Sequence, residues 1–127
     1  MSSANATIQL IVISDDFGMC HAVNTGIVQA FTEGILTQST LMVPCPWFSE
    51  AVELTRQHRI PVGIHYTLTC DWEYLRWGPL THAPSLTTRE GSFHPTVKAA
   101  QAVARHEEVI AELAAQTDRL LATGLTH

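Results

Sequence analysis

The first half of the chain alternates between β-branched apolar segments and segments with helical periodicity. The predicted strands are IQLIVIS (8–14), ILTQSTLMV (35–43) and VGIHYTLT (62–69), and the predicted helices between them cover 23–34 and 47–59. Near-continuous apolar strands such as the first are typical of a sheet that is covered on both faces. Because strands that alternate with helices form right-handed βαβ units, the sequence predicts an α/β fold with a parallel sheet.

The second half of the chain begins with an irregular segment and ends with a helical one. Residues 70–95 have no clear period, and a long irregular segment in a compact domain is usually a functional loop or disordered. This segment is rich in aromatic residues, namely Trp72, Tyr74, Trp77 and Phe93. A single helix is then predicted over 97–123, and its apolar face comprises Val103, Ile110, Leu113, Thr117 and Leu120. Gly34 is predicted to be the left-handed C-cap of the first helix, and Gly124 to end the last one.

The order of the elements also predicts the domain organisation. Residues 1–7 are expected to be a disordered leader, and residues 8–127 to belong to one domain. The last residues fall where a fourth strand is expected to begin, so residues 8–127 are interpreted as the truncated N-terminal portion of a larger domain. The open edges and uncovered apolar faces of such a portion favour self-association into a homo-oligomer.

Composition excludes several classes of function. With 127 residues and a formal net charge of −5, the chain lacks the clustered cations that a phosphate-backbone binder needs. We therefore expect no nucleic-acid partner. The sequence has neither a secretory leader nor an apolar run of membrane-spanning length, so no membrane association is expected. Three cysteines do not indicate a disulfide framework, and the cytoplasm is the simplest compartment.

Two adjacent carboxylates and one histidine are the main candidates for chemistry. Asp15 and Asp16 follow the first apolar segment, and His65 lies close to the carboxyl end of the third predicted strand. Ligands of parallel α/β folds collect at the carboxyl ends of the strands, so the three side chains are expected at one rim. Because adjacent like charges repel each other, a shared cation would explain the acidic pair. Carboxylate and imidazole donors favour Zn, Mn, Co or Fe over Mg or Ca.

Purely structural explanations compete with this interpretation. Either aspartate alone could cap the following helix, and a single strand histidine is more often a hydrogen-bonded core residue than a ligand. Cys20 and His21 could line the same rim or lie in a solvated loop. Trp72 and Trp77 could stack on a sugar ring or pack the irregular segment onto the sheet. Cys45, between two prolines, could be reactive but is interpreted as a small buried residue. The remaining histidines show no ligand spacing and are interpreted as surface residues, namely His58, His82, His94 and His106.

Several segments together resemble the YdjC-like carbohydrate deacetylases. The matching segments, in the order of that family, are SDDFGMCHAVNTGIVQAFTEGILTQSTLMV, FSEAVEL, VGIHYTLT, EGSFHP and AELAAQTDRLLATGLTH. The resemblance implies an irregular (β/α) barrel, of which this chain would form the N-terminal part. It also implies a metal-dependent hydrolase that removes N-acetyl groups from amino sugars or chito-oligosaccharides.

The resemblance assigns roles to individual residues. Asp16 and His65 match two metal ligands of the family, and Asp15 matches the general base of related deacetylases. One divalent metal ion is implied, with Zn or Mg as the leading identities. The family continues with a Thr-His-x-Asp-x-His pattern whose final histidine is the third ligand, and His127 matches the histidine before it. His127 is therefore expected near the site rather than as a ligand, and the chain alone is expected to be inactive.

Two functions from other classes remain as alternatives. A non-catalytic fragment could bind sugar through the aromatic segment without turnover. A Mg-dependent phosphoacceptor signalling domain also places an acidic pair after its first strand, but it requires an aspartate at the end of the third strand and a lysine at the end of a later one. Here the third predicted strand carries His65, and Lys98 precedes a helix.

Overall fold

The computed structural model describes residues 8–125 and has α/β architecture. Three parallel strands form one sheet in the order β1-β2-β3, which confirms the predicted fold class. The predicted leader, residues 1–7, and His127 lie outside the described residues. The elements in chain order are β1 (Ile13–Phe17), α1 (His21–Thr32), β2 (Gln38–Leu41), α2 (Phe48–His58), β3 (Val62–Ile64), a 3₁₀ turn (Pro84–Leu86), α3 (Val97–Val103) and α4 (His106–Leu121).

The helices bury one face of this sheet. Apolar side chains of β1, β2 and β3 pack there against α1, α2 and the end of α4; the buried members include Phe17, Ile27, Leu41, Phe48, Val52, Val62 and Leu120. Alternate residues of a strand point to opposite faces. Ile11 and Ile13 therefore point to the other face, where they are 66 % and 52 % exposed. The prediction that the first strand is covered on both faces is wrong for residues 8–125, because the described helices cover a single face.

The connection after α1 differs from the prediction. Gly34 does not have the expected left-handed backbone; instead, a Cβ at this position would lie 2.6 Å from the carbonyl oxygen of Ala30. The chain must pass this close to α1 because Leu36 N–H donates a hydrogen bond to the same oxygen. The left-handed C-cap occurs at the end of α2, where Arg59 has a φ of 55°.

The single helix predicted over 97–123 is two helices. Ala104 and Arg105 have extended backbones between α3 and α4. Ser85, from the 3₁₀ turn, accepts a hydrogen bond from the Arg105 N–H at 2.9 Å, and Glu108 accepts from both the backbone and the hydroxyl of Ser85. The break is thus stabilised by a segment 20 residues away, which helical periodicity cannot reveal. None of the helices within residues 8–125 is both long and apolar enough to span a bilayer.

Helix α4 holds the irregular segment with buried polar side chains. The Glu112 carboxylate accepts hydrogen bonds from the backbones of Leu80 and Thr81, and Gln116 exchanges two with the backbone of Thr67. The apolar face predicted over 97–123 is correct only in part: Leu120 is buried, but Val103 and Ile110 are exposed. The buried residues of α4 also include Glu112 and Gln116, which the prediction omitted. The irregular segment is as predicted, and a second apolar cluster packs it, including Cys70, Trp77, Leu86 and Phe93.

Candidate active site

A β-bulge in β1 places the two aspartates. Ser14 pairs with Ser39, but Phe17 pairs with Leu41, so β1 has one more residue than β2 between these pairs. Asp16 has a φ of 69°, a left-handed conformation that is uncommon in a strand. The acidic pair therefore lies inside β1, and the expectation that it follows the end of the strand is wrong. Consecutive strand residues normally face opposite sides, and a bulge redirects one of them.

The imidazole of His65 lies close to the carboxylates of Asp15 and Asp16. His65 follows β3 directly, and its backbone N–H continues the ladder by donating to the Leu41 carbonyl at 2.8 Å. Its Nδ1 atom lies 4.0 Å from Oδ1 of Asp15 and 3.8 Å from Oδ1 of Asp16. The structure thus brings together the three side chains that the sequence selected, near the carboxyl ends of β1 and β3, which flank β2.

A side chain of α1 stabilises the turn that follows the two aspartates. Gly18, with a φ of 103°, donates its N–H to Oδ1 of the fully buried Asn24 at 2.7 Å. The amide nitrogen of Asn24 in turn donates to Oε2 of Glu50 at 2.7 Å. Burial of Glu50 opposes its ionisation, but the hydrogen bonds with Asn24 and His21 outweigh burial and hold its pKa below the ordinary value. His21 is bound to Glu50 rather than to the aspartates, which leaves it away from the candidate site.

Thr40 is a site residue that the sequence analysis missed. It lies in β2, and its hydroxyl is 2.8 Å from Oδ1 of Asp15 and 3.1 Å from Nδ1 of His65. In the sequence, Thr40 contributes only to the β-branched character of a predicted strand. Its function as a contact between two other candidates becomes visible when β1, β2 and β3 are placed side by side.

A cavity of about 190 Å³ opens beside two of the three candidate side chains. Asp16 and His65 line it, together with Tyr66, Asp71 and Trp72. Trp72 is 52 % exposed. Trp77 also reaches the cavity but is 5 % exposed, and its indole N–H donates to the Thr69 carbonyl at 3.0 Å. The two tryptophans therefore differ: Trp77 packs the irregular segment, whereas Trp72 is available to a ligand.

The cysteines near this cavity are not arranged as nucleophiles. Cys45 and Cys70 are buried, Cys20 is partly buried, and the three form no disulfide among residues 8–125. Burial raises the pKa of the Cys45 thiol far above its ordinary value, and the nearby Cys70 and Asp16 raise it further. Because the thiolate is the reactive form, Cys45 is an inert buried residue, as the sequence indicated.

The donor set fits part of a metal site. Two ligand atoms of one zinc ion can lie at most about 4.2 Å apart, because each metal–ligand bond is about 2.1 Å long. The 3.8 Å between Asp16 Oδ1 and the near ring nitrogen of His65 is shorter than this, so both atoms can contact one ion. Within residues 8–125, however, no three His, Cys, Asp or Glu side chains have the arrangement of a complete site. An ion here would therefore need further ligands from water, substrate or other residues.

The family of this chain follows from a comparison of its sequence with the profiles of known protein families. The profile of the YdjC-like proteins matches residues 9–127. This chain belongs to the YdjC-like protein family. Similar proteins include carbohydrate deacetylases from Geobacillus stearothermophilus and Brevibacillus brevis, at 40 % and 43 % identity over 91 % and 94 % of this chain. A chitooligosaccharide deacetylase from Yersinia enterocolitica is 37 % identical over 89 % of it.

A solved structure supports the same fold for this YdjC-like chain. The crystal structure of an Enterococcus faecalis protein, provisionally described as a cellobiose-phosphate cleavage protein, matches 91 % of the chain with a TM-score of 0.81 and 31 % identity. The parallel βαβ units are thus those of the family's (β/α) barrel. The match covers 44 % of that protein, and the chain spans 45 % and 47 % of the first two deacetylases.

Proposed function

We propose that this chain carries part of the active site of a metal-dependent hydrolase that removes N-acetyl groups from amino sugars or chito-oligosaccharides. One observation carries the proposal: the bulge in β1 directs Asp15 and Asp16 to the same imidazole, that of His65. A strand residue in a left-handed conformation costs about 1–3 kcal/mol and is found mostly at functional sites. The names of the similar deacetylases support the same reaction class.

Asp16 and His65 would hold the divalent ion in this proposal. The carboxylate and the neutral imidazole are ligands that zinc accepts readily, and magnesium is the second candidate. When bound, the ion supplies polarisation of the acetamide carbonyl and of the attacking water. Asp16 lines the cavity directly, so its carboxylate can serve the ion while the substrate occupies the remaining space.

Asp15 would act as the general base. Its Oδ1 atom accepts a hydrogen bond from Thr40, which leaves the second carboxylate oxygen available to accept the proton of the attacking water. Proton transfer of this kind requires hydrogen-bond reach and a deprotonated base. In this scheme Asp15 moves the proton and Asp16 stays ionised, so the two adjacent carboxylates have different tasks.

Trp72 would contribute to substrate binding. Its half-exposed ring lies in the wall of the cavity that Asp16 and His65 line. Aromatic faces and a few polar groups are typical of ligand sites, so a sugar ring against Trp72 would place an N-acetyl group toward the aspartates. A sugar-binding fragment without turnover is the second candidate function, and the same exposed ring favours it.

Calorimetric zinc titration tests the proposed ligands. We expect binding near one equivalent in the wild-type chain, and its loss in Asp16→Ala and in His65→Ala. His82→Ala is the matched control, because His82 is exposed in the irregular segment. Zinc binding that survives both ligand substitutions, or that disappears equally in His82→Ala, contradicts the assignment.

Acetate release from an acetylated chito-oligosaccharide separates catalysis from sugar binding. The chain alone is proposed to be inactive, because residues 8–125 bring no complete set of metal ligands together. Acetate released by the chain itself, lost in Asp15→Asn but retained in Asp71→Asn, would refute inactivity and support the general base. Sugar binding without a zinc site would favour the non-catalytic alternative.

A further inference from the structure

Thr40 occupies the centre of the candidate site. It lies in β2, the middle strand, between the strand that carries Asp15 and the strand that His65 follows. The hydroxyl contacts both groups, at 2.8 Å to the carboxylate and 3.1 Å to the imidazole. A single oxygen therefore links the proposed base to a proposed metal ligand.

The single proton of this hydroxyl can serve one of the two contacts. An ionised carboxylate accepts hydrogen bonds and donates none, whereas a neutral imidazole has one donor and one acceptor nitrogen. Hydrogen bonds to charged groups are shorter and stronger than neutral ones, and the contact with Asp15 is the shorter of the two. Thr40 thus donates to Asp15, and its lone pair accepts from Nδ1–H of His65.

We propose that Thr40 is a positioning residue, whose hydroxyl orients the Asp15 carboxylate and holds ion-free His65 as the Nδ1–H tautomer. This inference rests on the proposed function. A hydrogen bond at one ring nitrogen commonly sets which tautomer a histidine adopts.

Other hydroxyls in the fold show what a purely structural role looks like. Ser39, next to Thr40 but facing the helices, donates to the backbone carbonyl of Ser14 at 2.8 Å. Thr55 donates to the carbonyl of Ala51 within α2. Both of these hydroxyls donate to the main chain. Thr40 instead contacts two side chains of the candidate site.

Imidazole NMR of the ¹⁵N-labelled, chelator-treated chain at pH 8.5 tests this proposal. Two-bond ¹H–¹⁵N correlations distinguish the two tautomers, and the His65 signals are identified by their loss in His65→Gln. We expect the Nδ1–H pattern in the wild type and its loss in Thr40→Val, which keeps the shape of the side chain but removes the hydroxyl. Thr40→Ser, which retains the hydroxyl, should restore the pattern.

The outcomes separate this proposal from the proposed function. An Nε2–H pattern of His65 in the wild type overturns the role of Thr40, even if neither Thr40 variant folds. An Nδ1–H pattern that persists in Thr40→Val also overturns it, provided that the backbone amide spectrum shows a native fold. Neither reading depends on zinc binding or acetate release, so a failed deacetylase assay leaves the test of Thr40 intact.

Discussion

Asp16 illustrates how a single residue combines strain with chemistry. Its φ of 69° is a conformation that glycine adopts freely and that costs other residues free energy. Aspartate tolerates this region better than most residues, because its short polar side chain bonds locally. The conformation turns the carboxylate toward His65, so local stability is given up for the geometry of the site.

Replacing Asp16 with glycine is expected to stabilise the chain while abolishing zinc binding. Relief of the left-handed strain should raise the free energy of unfolding by about 1 kcal/mol. Urea denaturation measures this change. Asp15→Gly is the matched control, since Asp15 has no positive φ, and glycine in an ordinary strand position should lower stability. Equal effects of the two substitutions would refute the role of backbone strain.

Glu50 is expected to make stability depend on pH. Its pKa is lowered in the folded chain, so the folded state binds fewer protons than the unfolded state does near pH 4.5. The stabilisation is present above about pH 4.5 and is lost as the pH falls through the lowered pKa. Urea midpoints between pH 3 and 6 should fall less steeply in Glu50→Gln than in the wild type. Glu53→Gln, an exposed change in the same helix, should retain the wild-type slope.

Helix α4 contributes to the fold through polar rather than apolar contacts. Glu112 and Gln116 are fully buried, and both bind the backbone of the segment that leads to and from the cavity. Buried carboxylates are rarely tolerated unless their hydrogen bonds are complete. Glu112 meets this condition, because four donors from Leu80, Thr81 and Gln116 surround it.

Replacing Glu112 with alanine is expected to destabilise the chain by about 3 kcal/mol, because part-buried N–H groups would lose their acceptor and a cavity would remain in its place. Urea denaturation measures this loss. Glu107→Ala changes an exposed carboxylate one turn earlier in α4 and should cost less than about 0.5 kcal/mol. Similar costs for the two variants would show that the buried network contributes little.

At the scale of the whole molecule, the sheet face that the described helices leave uncovered is the feature that most favours self-association. Apolar side chains at and before β1 are exposed, namely Ile8, Leu10, Ile11 and Ile13. Contiguous exposed apolar surface and unpaired strand edges favour association with other chains. The chain alone is therefore expected to form oligomers, as its sequence already suggested.

Light scattering at increasing protein concentration tests this expectation. Ile11→Lys and Ile13→Lys should each shift the distribution toward monomer by placing a charge on the exposed face. Ile35→Lys is the control, because Ile35 is also exposed but follows α1. A wild-type chain that stays monomeric at all concentrations would contradict the prediction.

The local pattern of residue types was sufficient to predict the architecture. Alternating apolar and amphipathic segments indicate parallel βαβ units. The spacing of apolar residues distinguishes the two kinds of element, because a buried strand and a helix with one buried face have different periods. The same pattern placed Asp15, Asp16 and His65 at the carboxyl ends of strands. Side chains at these ends share one rim whatever the details of packing, so the candidate site could be proposed before the structure was known.

Features that depend on how distant segments meet could not be predicted in this way. The bulge at Asp16 arises from the register between β1 and β2, and the break before α4 arises from a contact with Ser85. The role proposed for Thr40 requires three strands side by side, and burial of Glu112 requires donors from a segment 31 or 32 residues away. Local periodicity in the sequence indicates which residues tend to be buried. The bulge, the helix break and the polar contacts depend instead on which distant segments lie next to each other in the folded chain.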